Sequence, residues 1–243
     1  METLHELNRL LERINGIFEL TYKEKMDECD EAIKYLNYLF VLTDIAQDIM
    51  LEGQSGIPYY VCSLSLRTYL EFLVNLFQGA YHSAARALRW LYEANLAGAA
   101  ACIKPSLLSG EFIEVEMDLD KFELWLALLD ERRTEFPRKR IFEGLGLPAE
   151  KLQELFSDLC KYVHISRKSL DEKLTWPNLQ YIPEKSDEIL TLARKTVDLI
   201  LWLECKMLLQ YNDRTKEALK KLSKDIGALA SKVPGTAELI YSL

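Results

Sequence analysis

The stretch Tyr81-His82-Ser83-Ala84-Ala85-Arg86-Ala87-Leu88-Arg89-Trp90-Leu91-Tyr92-Glu93-Ala94-Asn95 decides the fold. Alanine, leucine and aromatic residues dominate it, and its polar positions recur at helical rather than alternating spacing. At about 100° per residue, His82, Arg86, Arg89 and Glu93 fall within an arc of roughly 60°. A helix of this kind is central, packs closely through its small residues and carries a single polar stripe. Burying charge is expensive unless it is paired. Arg89 and Glu93 can pair at i,i+4, whereas Arg86 needs another partner.

Working outward, the chain reads as helix nearly throughout. Residues 2–52 carry Leu4, Leu7, Leu11, Ile14 and Phe18, then Ile33, Leu36, Phe40, Ile45 and Ile49, at helical spacing, with Asn15-Gly16 as the expected kink or break. Gly53 to Pro58 reads as a loop. A third helix covers 59–78, and Gly79 is expected as its left-handed C′ residue. The next helix begins near Tyr81, so the connection is a tight helical hairpin. Further helices are expected over 111–132, from Pro148 to about His164, over 186–211, and from Asn212 or Asp213 to about Lys232. Thr134 to Pro148 and 165–184 read as irregular. No strand signal survives comparison with the helical reading. The expected fold is an all-α helical bundle with a long helical N-terminal segment and an amphipathic C-terminal helix. Residues 1–52 form either an arm or part of the bundle, 57–211 form the bundle, and 212–243 form the last helix and tail.

Composition narrows the function classes. The 243 residues hold 30 Lys+Arg against 38 Asp+Glu, a net charge of −8. So acidic a chain is a poor candidate for coating duplex DNA, which needs a cationic surplus. The five cysteines, Cys29, Cys62, Cys102, Cys160 and Cys205, have neither CxxC nor zinc-ribbon spacing, and read as reduced, buried thiols. The N-terminus lacks the basic start and apolar block of a signal peptide. The most apolar stretches are interrupted by charges, among them Arg67, Glu71, Glu204 and Lys206, so none offers the roughly 18 apolar residues of a membrane span. A cytoplasmic protein without membrane contact is expected. With three histidines there is little to build a metal centre, and the lone Glu2-x-x-His5 has no second copy for a di-iron site. No phosphate-loop, dinucleotide or GxSxG motif is present. No metal or cofactor is expected.

Two polar features could carry chemistry. The stripe of His82, Arg86, Arg89 and Glu93 is either a structural ion-pair network, a solvated face, or a cleft for an anion or base. Similar polar rows stand on neighbouring helices: Arg67, Glu71, Asn75 and Gln78, and Asp44, Gln47 and Asp48. The second feature is Asp158-Leu159-Cys160-Lys161-Tyr162-Val163-His164-Ile165-Ser166-Arg167. His164 closes a helix, where the dipole favours imidazolium. Lys161, Arg167 and His164 could contact a phosphate and move a proton; otherwise His164 caps the helix. The run from Arg132 to Arg140 holds five basic residues in nine and reads as either an anion contact or a solvated loop.

The helix ending at Gly79, then Arg86-x-x-Arg89-x-x-x-Glu93, and far downstream Leu159-Cys160-Lys161-Tyr162-Val163-His164 before another long apolar helix, together resemble the HEPN-like helical proteins, in a prokaryotic branch. The resemblance covers about residues 60–211. It implies a four- or five-helix bundle that pairs into a homodimer and binds RNA, in many members as a metal-independent ribonuclease in which the RNA's own 2′-hydroxyl attacks the neighbouring phosphate. His164 matches the family's histidine position and would be the general acid/base. The arginine that precedes that histidine in the nucleases has no counterpart at 157–163, where Lys161 stands instead. Arg86 or Arg89 would take its place, with Glu93 orienting an arginine and His82, Lys161 and Arg167 as further RNA contacts. Two alternatives are a non-catalytic interaction protein that binds a partner through its N-terminal helices, and a small-ligand sensor whose pocket the stripe lines.

Overall fold

The computed structural model describes residues 2–53, 56–104, 138–163, 181–211 and 215–220. These are helical apart from short connections, and no strand occurs among them. The helices are α1 (Glu2–Glu24), α2 (Met26–Leu51), α3 (Ile57–Phe77), α4 (Tyr81–Ile103), α5 (Arg138–Gly144), α6 (Ala149–Val163) and α7 (Pro183–Leu208), followed by α8 (215–220).

The α3–α4 connection shows how local sequence sets the topology. Gly79 has φ 71°, a conformation that costs a side-chain-bearing residue about 1 kcal/mol or more. In it the Ala80 N–H reaches Asn75 O at 2.8 Å and the Gly79 N–H reaches Leu76 O at 3.0 Å. These are the paired bonds of a Schellman motif, which satisfies the last carbonyls of α3 and reverses the chain. The hairpin expected from the sequence is therefore present.

α4 is the central helix, packed against α3, α5, α6 and α7. From Ala94 to Cys102 every residue is buried, and six of these nine are alanine or glycine, so neighbouring helices approach closely. Hydrogen bonds fix the directions. His82 and Tyr92 of α4 bond to Tyr162 O and Leu152 O of α6, so those two helices run antiparallel. The Tyr81 hydroxyl accepts from the Ile182 N–H at the start of α7, so α4 and α7 run parallel. α2 is tied to α7 in parallel register by Lys25 to Asp187 at 2.5 Å, Glu31 to Arg194, and Tyr35 to Asp198 at 3.0 Å.

Three boundaries differ from expectation. The N-terminal helical stretch breaks at Lys25, not at Gly16, which sits inside continuous α1 with open space around it. A glycine inside a helix costs about 1 kcal/mol but does not oblige a break. The region expected to be irregular before Pro148 contains α5, held by burial of Ile141 and Phe142. α7 begins at Pro183, three residues earlier than read. Within 1–52, α2 is part of the bundle, with seven buried residues, while α1 lies against it through Ile17 and Thr21. The helix expected over 111–132 and the end of the C-terminal helix lie outside the described residues.

Candidate functional site

The polar stripe of α4 meets two other helices. The Arg89 guanidinium lies 3.5 Å from the Glu93 carboxylate, and Arg138, on the first turn of α5, reaches the same Glu93 oxygen at 3.4 Å. Both guanidinium carbons lie over the ring of Phe156 on α6, Arg138 at 3.7 Å and Arg89 at 5.3 Å from its centroid. All three charged side chains are about three-quarters buried. Two guanidiniums thus share one carboxylate and one aromatic face, an arrangement that combines cation–π attraction with a long, imperfect ion pair. The Arg89 Nε is buried with no hydrogen-bond partner among the described residues.

The clamp rests on apolar support. Tyr92 packs edge-on to Phe142 and against Phe156, and its hydroxyl donates to Leu152 O at 3.0 Å. Cys160, half-buried on α6, lies beside the two arginines; burial pushes its thiol up, and Arg89 and Arg138 act against that.

The structure brings part of the predicted site together. His82 Nδ1 lies 3.0 Å from Tyr162 O, so the start of α4 touches the end of α6. Arg89 is level with Phe156, seven residues before Val163, or about 10 Å along the α6 axis. Arg86, exposed, stands between the His82 and Arg89 levels and forms no ion pair among the described residues. Lys161 is exposed and bonds Asp158 at 2.6 Å, which raises its amine. His164 and Arg167 lie outside the described residues. The partner of the stripe comes from α5, not from the rows on α2 and α3. Asp44, Gln47, Asp48, Arg67 and Glu71 are exposed, and Asn75 bonds its own helix at Glu71 O.

Sequence reasoning treated Arg138 as part of a separate basic run and missed its place at Glu93. It also missed the polar centre of the bundle. Glu204 of α7 is fully buried. Ser65 and Cys62 lie beside its carboxyl, yet neither oxygen completes a hydrogen bond among the described residues. Burial pushes the carboxyl up to about 8, so the acid is neutral in the core. Asn95 donates to Ser65 Oγ at 2.7 Å and to Leu91 O at 3.0 Å, leaving its own carbonyl oxygen buried and unpartnered. The signal was a glutamate inside the apolar run Ile200-Leu201-Trp202-Leu203-Glu204-Cys205. Cys205 and Cys62, also raised by burial, stand nearby, and all five cysteines are free thiols. No group of three or more metal-ligating side chains occurs among the described residues.

Among the described residues no helix is long and apolar enough to cross a membrane. No protein family, curated protein or solved structure matches the chain.

Proposed function

We propose that this chain is a cytoplasmic RNA-binding protein of HEPN-like type, acting as a homodimer and gripping the RNA backbone on the face formed by α4 and α5. The observation that carries this reading is the meeting of Arg138 with the α4 stripe. Arg89 and Arg138 share the single carboxylate of Glu93, and Arg86 on the same helix as Arg89 is exposed and without an ion pair among the described residues, so the α4 stripe holds a local cationic surplus on an acidic chain. Arg140 adds a further cation at an exposed position of α5, where Lys139 pairs with Glu143 at 3.9 Å. Arginine suits this task because its planar fork matches phosphate oxygens and keeps its charge at any working pH. In a catalytic form His164 would take the 2′-hydroxyl proton as that oxygen attacks phosphorus, and a protonated group would return one to the departing 5′-oxygen. Arg86, nearer the His82 end of α4 than Arg89, is then the better phosphate holder.

The test is binding and cleavage of a labelled single-stranded RNA in EDTA at several salt concentrations. Arg86→Ala is expected to weaken binding and to lower the salt slope by about one. Glu93→Gln is expected to tighten binding, because it removes the carboxylate that Arg89 and Arg138 share. A purely structural clamp predicts no RNA binding at all and only a stability loss in Glu93→Gln; that result overturns the reading. Loss of cleavage in His164→Ala, with binding retained, would assign the chemistry.

A second reading is favoured by a different observation. Twelve of the thirteen large apolar side chains exposed among the described residues lie on α1, α2 and α3, including Leu11, Phe18, Phe40, Leu51, Leu70 and Val74. Such concentration marks an interaction face, and supports a partner-binding role for the N-terminal helices. Sedimentation of wild type against Phe40→Ser and Leu70→Ser separates the two: an assembly lost in these variants, with RNA indifferent, favours the interaction protein.

A further inference from the structure

The thirteenth exposed apolar side chain is Trp90, on α4 itself. It lies on the same helix as Arg86, Arg89 and Glu93. Its neighbours Ala87, Leu91 and Ala94 are buried, yet the indole is 36% exposed. Arg86 lies at i−4, so the two side chains are neighbours on one helix face, one turn apart. Arg89 precedes Trp90, and its guanidinium turns away onto Phe156. Neither Trp90 nor Arg86 has a ring contact, ion pair or side-chain hydrogen bond among the described residues. The contrast with Trp202 is instructive: that ring is half-buried and lies under the Lys206 ammonium at 5.7 Å. Trp90 has no such cover.

We propose that Trp90 is a base-stacking platform: an unpaired base lies on its exposed indole face while Arg86 holds the adjoining phosphate. This deepens the RNA-binding reading and rests on it. The chemistry selects the strand form. Stacking on an indole needs a base whose face is free, which a duplex does not present, and it tolerates any base because every base has a π-face. An exposed aromatic beside a free arginine supplies both parts of single-strand recognition, the stacking surface and the backbone charge.

The experiment measures fluorescence anisotropy of three labelled probes, a single-stranded RNA, the corresponding RNA duplex and inorganic polyphosphate. The proteins are wild type, Trp90→Ala, Trp90→Phe and Arg86→Ala, each checked for helicity by circular dichroism. Trp90→Ala is expected to weaken single-strand binding about 5- to 150-fold, with the salt slope and polyphosphate binding unchanged. Trp90→Phe, which keeps a π-face, is expected to retain most of the affinity. Arg86→Ala is expected to weaken both the strand and polyphosphate. If Trp90→Ala binds the strand like wild type, or the duplex binds as tightly as the strand, while Arg86→Ala still weakens binding, the stacking role falls and the RNA reading stands. If none of the three probes binds wild type, both fall together.

Discussion

Replacing Glu204 by glutamine tests whether the centre of the bundle holds a neutral acid. An ordinary glutamate titrates near 4.5, and burial raises Glu204 to about 8. The folded state therefore keeps a proton that the unfolded chain releases. A raised folded value means that the stability tied to this proton is complete below pH 4.5. It is lost steadily as pH rises toward 8. At 1.36 kcal/mol per pH unit the whole window amounts to about 5 kcal/mol, a large share of the 5–15 kcal/mol that holds a typical domain. Glutamine has the same shape and no charge at any pH. The assay is urea unfolding under reducing conditions across about pH 5 to 8. Wild type and Glu204→Gln are expected to agree within about 1 kcal/mol at the acid end. The variant is expected to be more stable by roughly 3 kcal/mol or more near pH 8. The buried cysteines impose a similar slope on both proteins, so it cancels in the difference. Parallel stability curves, or a variant that is less stable at pH 8, would refute the reasoning.

Two further outcomes follow from the same geometry. Asp198, which accepts from the Tyr35 hydroxyl, is raised to about 6 mainly by burial, with Tyr35 and Arg194 acting against that. Asp198→Asn keeps an acceptor for Tyr35 and is expected to abolish a stability loss of about 3 kcal/mol between roughly pH 4 and 6, read by the same unfolding assay at lower pH; an unchanged slope there counts against a protonated Asp198. Gly79→Ala places a Cβ at φ 71° and is expected to cost about 1 kcal/mol, seen as a melting temperature lower by about 2–4 °C; an unchanged melting temperature would mean the turn is not held in that conformation.

How much was legible in the sequence depends on the range of the interaction. The α4 helix, its stripe and the Gly79 turn are local patterns of helical period and turn chemistry, and each could be read directly. The Arg89–Glu93 pair is an i,i+4 contact and was equally readable. Arg138 is 45 residues from Glu93, and nothing in its neighbourhood announces where α5 docks; Ile141 and Phe142 pin that helix through burial, which seven residues of periodicity cannot display. The break at Lys25 was misplaced for the same reason. Gly16 is the residue with the weak helix propensity, but the Lys25–Asp187 pair and the bond from the Tyr22 hydroxyl to Asp30 act across the break. Glu204 could be seen as a charge in an apolar run, but full burial follows only once α3, α4 and α7 are packed around it. His164 and Arg167, which carry the catalytic half of the family resemblance, lie outside the described residues.

The net charge of −8 and the cationic face act at different ranges, and that decides how an RNA would reach α4. Beyond a Debye length of about 8 Å at physiological salt, the acidic surplus is screened and repels a polyanion only weakly. Within that distance Arg86, Arg89 and Arg138 outweigh Glu93, while Glu143 of α5 is taken up by Lys139. Such a face would gain little from long-range steering, so on the proposed reading association with RNA would be slower than for a uniformly basic protein. On the proposed RNA reading, a bound strand would still displace counterions there, and its affinity would fall with salt. Adding salt would then slow the wild type's association less than it speeds its dissociation. Glu93→Gln should shift the dissociation rate far more than the association rate. A stopped-flow measurement in which Glu93→Gln changes mainly association would place the operative charge elsewhere on the molecule, and the α4–α5 face would lose its claim to the RNA.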